Sequence, residues 1–213
     1  MKNSDVSDNE KVLPSNMSFS VGSQWLFISQ VGVLICSLAI SIITARWLGP
    51  YGKGVVAILM LVPGFVASFG NLGLTASNIY FISGRRRPLE EIAGTDVCCI
   101  VVVTAISLAV LATFWGPLEK TILKGLHRHF LYYVGPLILL QLMDSVIVSS
   151  WLLGLQRFKL FSIAKFMKYL LLLCLILLFV VALNLSITGV VISLLIADGI
   201  YIFYCFFVIF DHV

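Results

Sequence analysis

Two long stretches without a charged residue constrain this chain more than any other feature. Val12 to Ala45 holds no Lys, Arg, Asp or Glu over 34 residues, and Val55 to Gly84 holds none over 30. A bilayer core about 30 Å thick is crossed by roughly 20 apolar residues of helix, so each stretch is long enough to cross it. Hydrophobic residues make up 60% of the chain and charged residues 11%. Water-soluble domains carry about 25% charged residues, which excludes that class. The solvent for most of this chain is lipid.

Between the two stretches lies Ala45-Arg46-Trp47-Leu48-Gly49-Pro50-Tyr51-Gly52-Lys53-Gly54. Its glycines supply unusual dihedrals and Pro50 cannot continue a helix, so it reads as a tight, charged turn joining two membrane helices. The same reasoning predicts an all-α polytopic bundle of six spans, at about 24–45, 55–82, 97–115, 131–153, 168–183 and 187–210. Spans five and six form a tight hairpin, with only Asn184 to Ser186 between them. Pro63-Gly64 bends span two, and Gly73 with Ser77 lets another helix approach. Residues 1–16 are polar, mixed in charge and predicted to be a disordered cytoplasmic segment. The apolar segment after them is too long for a signal peptide, so span one stays as an anchor.

Charge and cysteine content add little chemistry. The net charge of +4 follows from topology. Nine Lys and Arg fall on the amino-terminal side (Lys2, Lys11, Arg85, Arg86, Arg87, Arg157, Lys159, Lys165, Lys168) and five on the other (Arg46, Lys53, Lys120, Lys124, Arg128). That excess places both termini in the cytoplasm. Gln156 to Lys168 alternates basic and apolar side chains, as positive flanking sequence or as a helix lying at the anionic leaflet. The five cysteines form no Cys-x-x-Cys pair and share no metal spacing with the three histidines; they read as free thiols, and no metal or cofactor is expected. His127-Arg128-His129 reads as a solvated loop or, less economically, a phosphate or pH sensor. No nucleophile elbow, phosphate-cradling loop or catalytic carboxylate pair is present, so the chain is not expected to be an enzyme.

Helical phasing is more informative. In span one Gln30, Ser37 and Ser41 share a face with Ser23 and Thr44, within about 60°. In span two Asn71, Thr75 and Asn78 do so with Gly64 and Ser68, within about 80°. Span four puts Gln141, Asp144 and Trp151 on one side, and span six groups Asp198, Tyr201 and Cys205. Span five shows no stripe and is expected to face lipid. Polar groups avoid hydrocarbon, so the stripes predict either a wet interior or interhelical hydrogen bonding. Asp144 and Asp198 lie near mid-span, where a carboxylate costs about 2.5–3.5 kcal/mol on insertion scales. Each reads as a proton or cation site, or as a structural carboxyl hydrogen-bonded to Gln, Ser or Tyr. No Lys or Arg falls at mid-membrane in this reading, so no internal salt bridge is expected.

The turn motif ARWLGPYGKG, followed by LVPGFVASFGNLGLTASNIYFIS, resembles the opening helical hairpin of the oligosaccharide (Wzx-type) flippases of the multidrug/oligosaccharidyl-lipid/polysaccharide exporter superfamily. Weaker likeness continues through Leu153 to Phe158. The resemblance implies the amino-terminal lobe of a transporter with two such lobes around a central cavity. It implies a polyprenyl-diphosphate-linked oligosaccharide as substrate, flipped across the plasma (inner) membrane during polysaccharide biosynthesis. The stripe residues above then become cavity candidates. Arg46 and Lys53 match the family's turn by position, and Arg85, Arg86 and Arg87 are anionic-headgroup candidates by charge alone. The chain stops at Val213 without a second lobe, so a missing half or a second copy is the expected partner, besides lipid. A multidrug exporter, or a non-transporting member of an envelope-glycan assembly, are the alternatives.

Overall fold

The computed structural model describes residues 19–84, 89–121 and 131–210, and no strand occurs among them. The chain runs α1 (Phe19–Gly70), α2 (Leu74–Ser83), α3 (Leu89–Thr121) and α4 (Leu131–Met143), then a π-helical segment, Asp144–Ser149, that leads into α5 (Ser150–Gly154). After a short break come α6 (Phe158–Ile176), a second π segment (Leu177–Ala182) and α7 (Ser186–Phe210). This is an all-α membrane architecture. Among the described residues five helical stretches are long and apolar enough to cross a bilayer: Gln24–Gly70, Glu91–Thr113, Tyr132–Gly154, Phe158–Ala182 and Ser186–Ile209. Residues 1–18, where the disordered segment is predicted, lie outside the described residues, as do Arg85 to Arg87 and the histidine loop.

The first stretch is bent. Its 47 residues would reach about 70 Å if straight, twice the hydrocarbon thickness. The bend is at Gly49, with φ 66° and ψ 179°, a region that only glycine populates freely. Lys53 shows how sharp it is. Its Nζ donates to Ser41 Oγ at 2.9 Å, Thr44 Oγ1 at 3.0 Å and the Ser41 carbonyl at 3.2 Å. Twelve residues of straight helix span about 18 Å, beyond a lysine's reach, so the chain doubles back. Where the sequence predicts two separate spans, the structure has one helical stretch folded into two limbs.

Gly49 gives a test in which backbone and packing separate. A Cβ added there meets nothing within 4 Å, and neither does one at Gly64. Gly49→Ala is expected to cost about 1–3 kcal/mol from backbone strain alone. Gly64→Ala, inside helix, is expected to be neutral or mildly stabilising. Thermal melts of the two variants in one detergent make the comparison.

Three sequence-predicted boundaries need correction. Span two does not run unbroken from 55 to 82, although the helix continues through Pro63-Gly64. It breaks at Leu72 and Gly73, both with left-handed φ (44° and 80°). Asn71 shapes that break, its Oδ1 accepting the Thr75 N–H at 3.0 Å. Gly73 therefore serves the turn rather than a close helix approach, and nothing lies near its would-be Cβ. α3 begins at Leu89, eight residues before the predicted Val97, and α6 begins at Phe158, ten before the predicted Lys168. In both cases the charge taken as a span edge lies inside the helix.

The core is built around the α4–π–α5 stretch. Val134, Leu137, Ile138, Leu142, Val146, Ile147, Val148, Trp151 and Leu152 are all buried, more than on any other crossing stretch. α6 and α7 pair through Leu172, Ile176, Val180, Val190 and Ala197, joined by Ile40, Ile43 and Leu48 of α1's first limb. Leu172, Ile176 and Val180 recur every four residues, so α6 and the π segment after it have a packed face and do not turn wholly to lipid, as the sequence reading has span five do. Leu170, Leu177, Leu178 and Leu183 keep the exposed side.

Candidate functional site

Starting α6 at Phe158 carries Lys168 about 15 Å up the helix, to the middle of the Phe158–Ala182 crossing. There it reaches two other helices. Its Nζ lies 2.9 Å from Asp144 Oδ2, at the head of the π segment, and 2.9 Å from Asp198 Oδ1 on α7. The side chains are 14%, 24% and 15% exposed for Lys168, Asp144 and Asp198, so all three charges are largely withdrawn from the surface. The ammonium also sits 4.9 Å from the Tyr201 ring centre, a cation–π distance. Ser149 Oγ is 3.4 Å from Asp144 Oδ1, a weak contact. This overturns the expectation that no cation meets the mid-membrane carboxylates. Two carboxylates share one ammonium, so with all three ionised one negative charge is left uncompensated. A proton or a small cation is what such a cluster can take up and release.

A second carboxylate cluster centres on α3. Asp96 is fully buried, and among the described residues its donors are neutral. Asn78 Nδ2 is 2.9 and 2.8 Å from its two oxygens, and Trp151 Nε1 is 3.0 Å from Oδ2. The Asn78 amide is also 3.2 Å from the Val146 carbonyl and 3.4 Å from Ser150 Oγ. The Ser150 hydroxyl in turn donates to that same carbonyl. This cluster ties α2, α3 and α5 together.

The predicted site residues divide between these clusters and the surface. Asp144 and Asp198 meet at Lys168. Asn78 joins Asp96, and one turn earlier Thr75 Oγ1 donates to the Ser145 carbonyl at 3.0 Å. Asn71 Nδ2 donates to Thr75 Oγ1 at 2.9 Å. Thr75 and Asn78 bind helices together, the interhelical alternative of the sequence reading, while Asn71 bonds locally at the turn. Ser37 bonds back to its own helix at Leu34 O, 2.8 Å away, and Ser41 holds Lys53. Lys53 is thus committed to the turn. Gln30, Arg46 and Gln141 are exposed and belong to neither cluster. Gln141, Asp144 and Trp151, predicted on one face, part company. Gln141 is exposed, Asp144 turns to α6 and α7, and Trp151 turns to α3, and the π segment breaks the regular phase between Asp144 and Trp151.

Sequence reasoning missed Lys168 and Asp96. The predicted spans start at Lys168 and directly after Asp96, although the apolar pattern of α6 begins at Phe158. The one signal for Asp96 is that Ile92, four residues earlier, continues the buried stripe of α3. Compared with protein-family models, curated proteins and solved structures, the chain matches none.

Proposed function

We propose that this chain is a polysaccharide-export membrane protein, one lobe of a flippase that turns polyprenyl-diphosphate-linked oligosaccharide from the inner to the outer leaflet. The observation that carries the reading is the meeting of Lys168, Asp144 and Asp198, from three segments, at mid-span. Each charge costs about 2.5–3.5 kcal/mol to place there on insertion scales, and intramembrane ionisable groups mark ion and substrate pathways. The turn that resembles the Wzx-type hairpin supports the substrate class, and its bend at Gly49 supports two separate crossings by the limbs 19–48 and 50–70. Six crossings then put both termini in the cytoplasm. Moving Lys168 from the loops into the bilayer lowers the amino-terminal basic excess to eight against five without reversing it. In this reading the uncompensated carboxylate takes up a proton or cation on one side and releases it on the other. A second bundle, a partner lobe or a second copy, closes the substrate path.

The test joins a deletion to a point variant. Deleting the gene is expected to abolish surface polysaccharide and leave drug tolerance intact, and Asp198→Asn is expected to reproduce that loss at normal protein level. Lost drug tolerance with normal polysaccharide would instead indicate a multidrug exporter. Full rescue by Asp198→Asn would defeat transport through this cluster and leave a non-transporting assembly protein.

A further inference from the structure

The two buried carboxylate clusters hang on the same eight residues. Asp144 opens the π segment and pairs with Lys168 on α6, while Ser150 and Trp151 follow the segment and Trp151 binds Asp96 on α3. Drawn as regular α-helix, residues seven apart point within about 20° of each other. A π turn closes i→i+5 bonds and takes in one residue more than an α turn, which turns the two side chains roughly 100° further apart. That extra turn is why they serve different neighbours.

A π segment also disturbs the backbone ladder, and buried carbonyls need partners. Here α2 supplies them. Thr75 donates to Ser145 O at 3.0 Å, and Asn78, one turn along, donates to Val146 O at 3.2 Å. Ser150 adds its hydroxyl to the same Val146 carbonyl. The π turn is therefore propped from outside the helix, by side chains whose other partners are Asn71 and Asp96.

We propose that Asp144–Ser149 is a register switch coupling the Lys168 cluster to the Asp96 cluster. In the π form both pairings are made at once. If the segment relaxes to α-helix, one end rotates by about 100° against the other, and Asp144–Lys168 and Trp151–Asp96 cannot both be kept. Release at one cluster is thereby felt at the other, about 10 Å along the helix. The inference stands on the helix geometry and holds whatever the chain transports.

The experiment uses the full chain in lipid nanodiscs, with Trp25, Trp47 and Trp115 changed to Phe so that Trp151 alone fluoresces. Asp144→Asn is expected to shift the Trp151 emission maximum beyond replicate scatter. Deleting Val148 removes the extra residue while leaving both flanks in their present orientation. In that background Asp144→Asn is expected to leave the emission unchanged. No shift in the undeleted chain would overturn the proposal. An equal shift in the deletion background would also overturn it, since that is the through-space effect of the lost charge. If Asp144→Asn does not fold, Lys168→Gln breaks the same Asp144 pairing from α6 without touching the segment, and the same outcomes decide. The Val148 deletion must itself fold better than a deletion of Leu139, which lies outside the segment; if both fail alike, the flanks are not held as proposed and the switch is refuted.

Discussion

Replacing Lys168 by Met is expected to destabilise the folded chain by about 3–5 kcal/mol, because removing one partner of a buried ion pair leaves uncompensated charge behind. Two carboxylates lose the ammonium they share, the one that reaches them among the described residues, and they lie on different elements, so the loss bears on how α6, α7 and the π segment dock. For a chain of about this size each kcal/mol moves the melting temperature by roughly 2–4 °C, so a fall of about 10 °C is expected. The triple change Lys168→Met with Asp144→Asn and Asp198→Asn removes all three charges together and is expected to recover most of the loss, since neutral replacement of buried ion pairs is often tolerated. Melts of wild type, single and triple variants in one detergent provide the measurement. A Lys168→Met protein within about 1 kcal/mol of wild type would mean that the cluster is solvated and not structural.

The second large effect is expected at Asp96. Asp96→Ala strips the acceptor from Asn78 Nδ2 and Trp151 Nε1, both buried, and each unsatisfied donor costs about 1–3 kcal/mol. A total of about 3 kcal/mol is expected, with α3 loosened from α2 and α5. Asp96→Asn keeps one oxygen able to accept and should lose about half as much. Limited proteolysis and thermal melts of the pair separate lost hydrogen bonds from lost charge. Equal destabilisation by Ala and Asn would show that the negative charge, not the acceptor, holds the cluster.

The fold class was legible because hydrocarbon leaves a simple imprint: uncharged runs, a Gly- and Pro-rich turn between them, and basic residues at the flanks. Spans four and six match α4–α5 and α7 within a residue or two. Asp144 and Asp198 could be singled out because an acid in an apolar run is conspicuous. Lys168 and Asp96 were not, for one physical reason. Each sits close to other polar residues, and a charge near a span end is ordinarily a boundary marker; only a partner on a distant segment reveals it as interior. The split of Asp144 from Trp151 was hidden more deeply. A projection at 100° per residue assumes an unbroken α-helix, and nothing in DSVIVS announces a π turn. Its props, Thr75 and Asn78, lie some seventy residues upstream.

The Lys53 contacts across the Gly49 bend bear on how the chain enters the bilayer. A lysine delivered with its own helix would have to cross the hydrocarbon as a bare cation. Here its three acceptors, the Ser41 carbonyl and hydroxyl and the Thr44 hydroxyl, are already in place on the limb synthesised before it. The ammonium is received as soon as Gly49 lets the chain fold back. In the six-crossing reading proposed above, the two limbs then make a single unit of membrane insertion, the hairpin and not the individual helix.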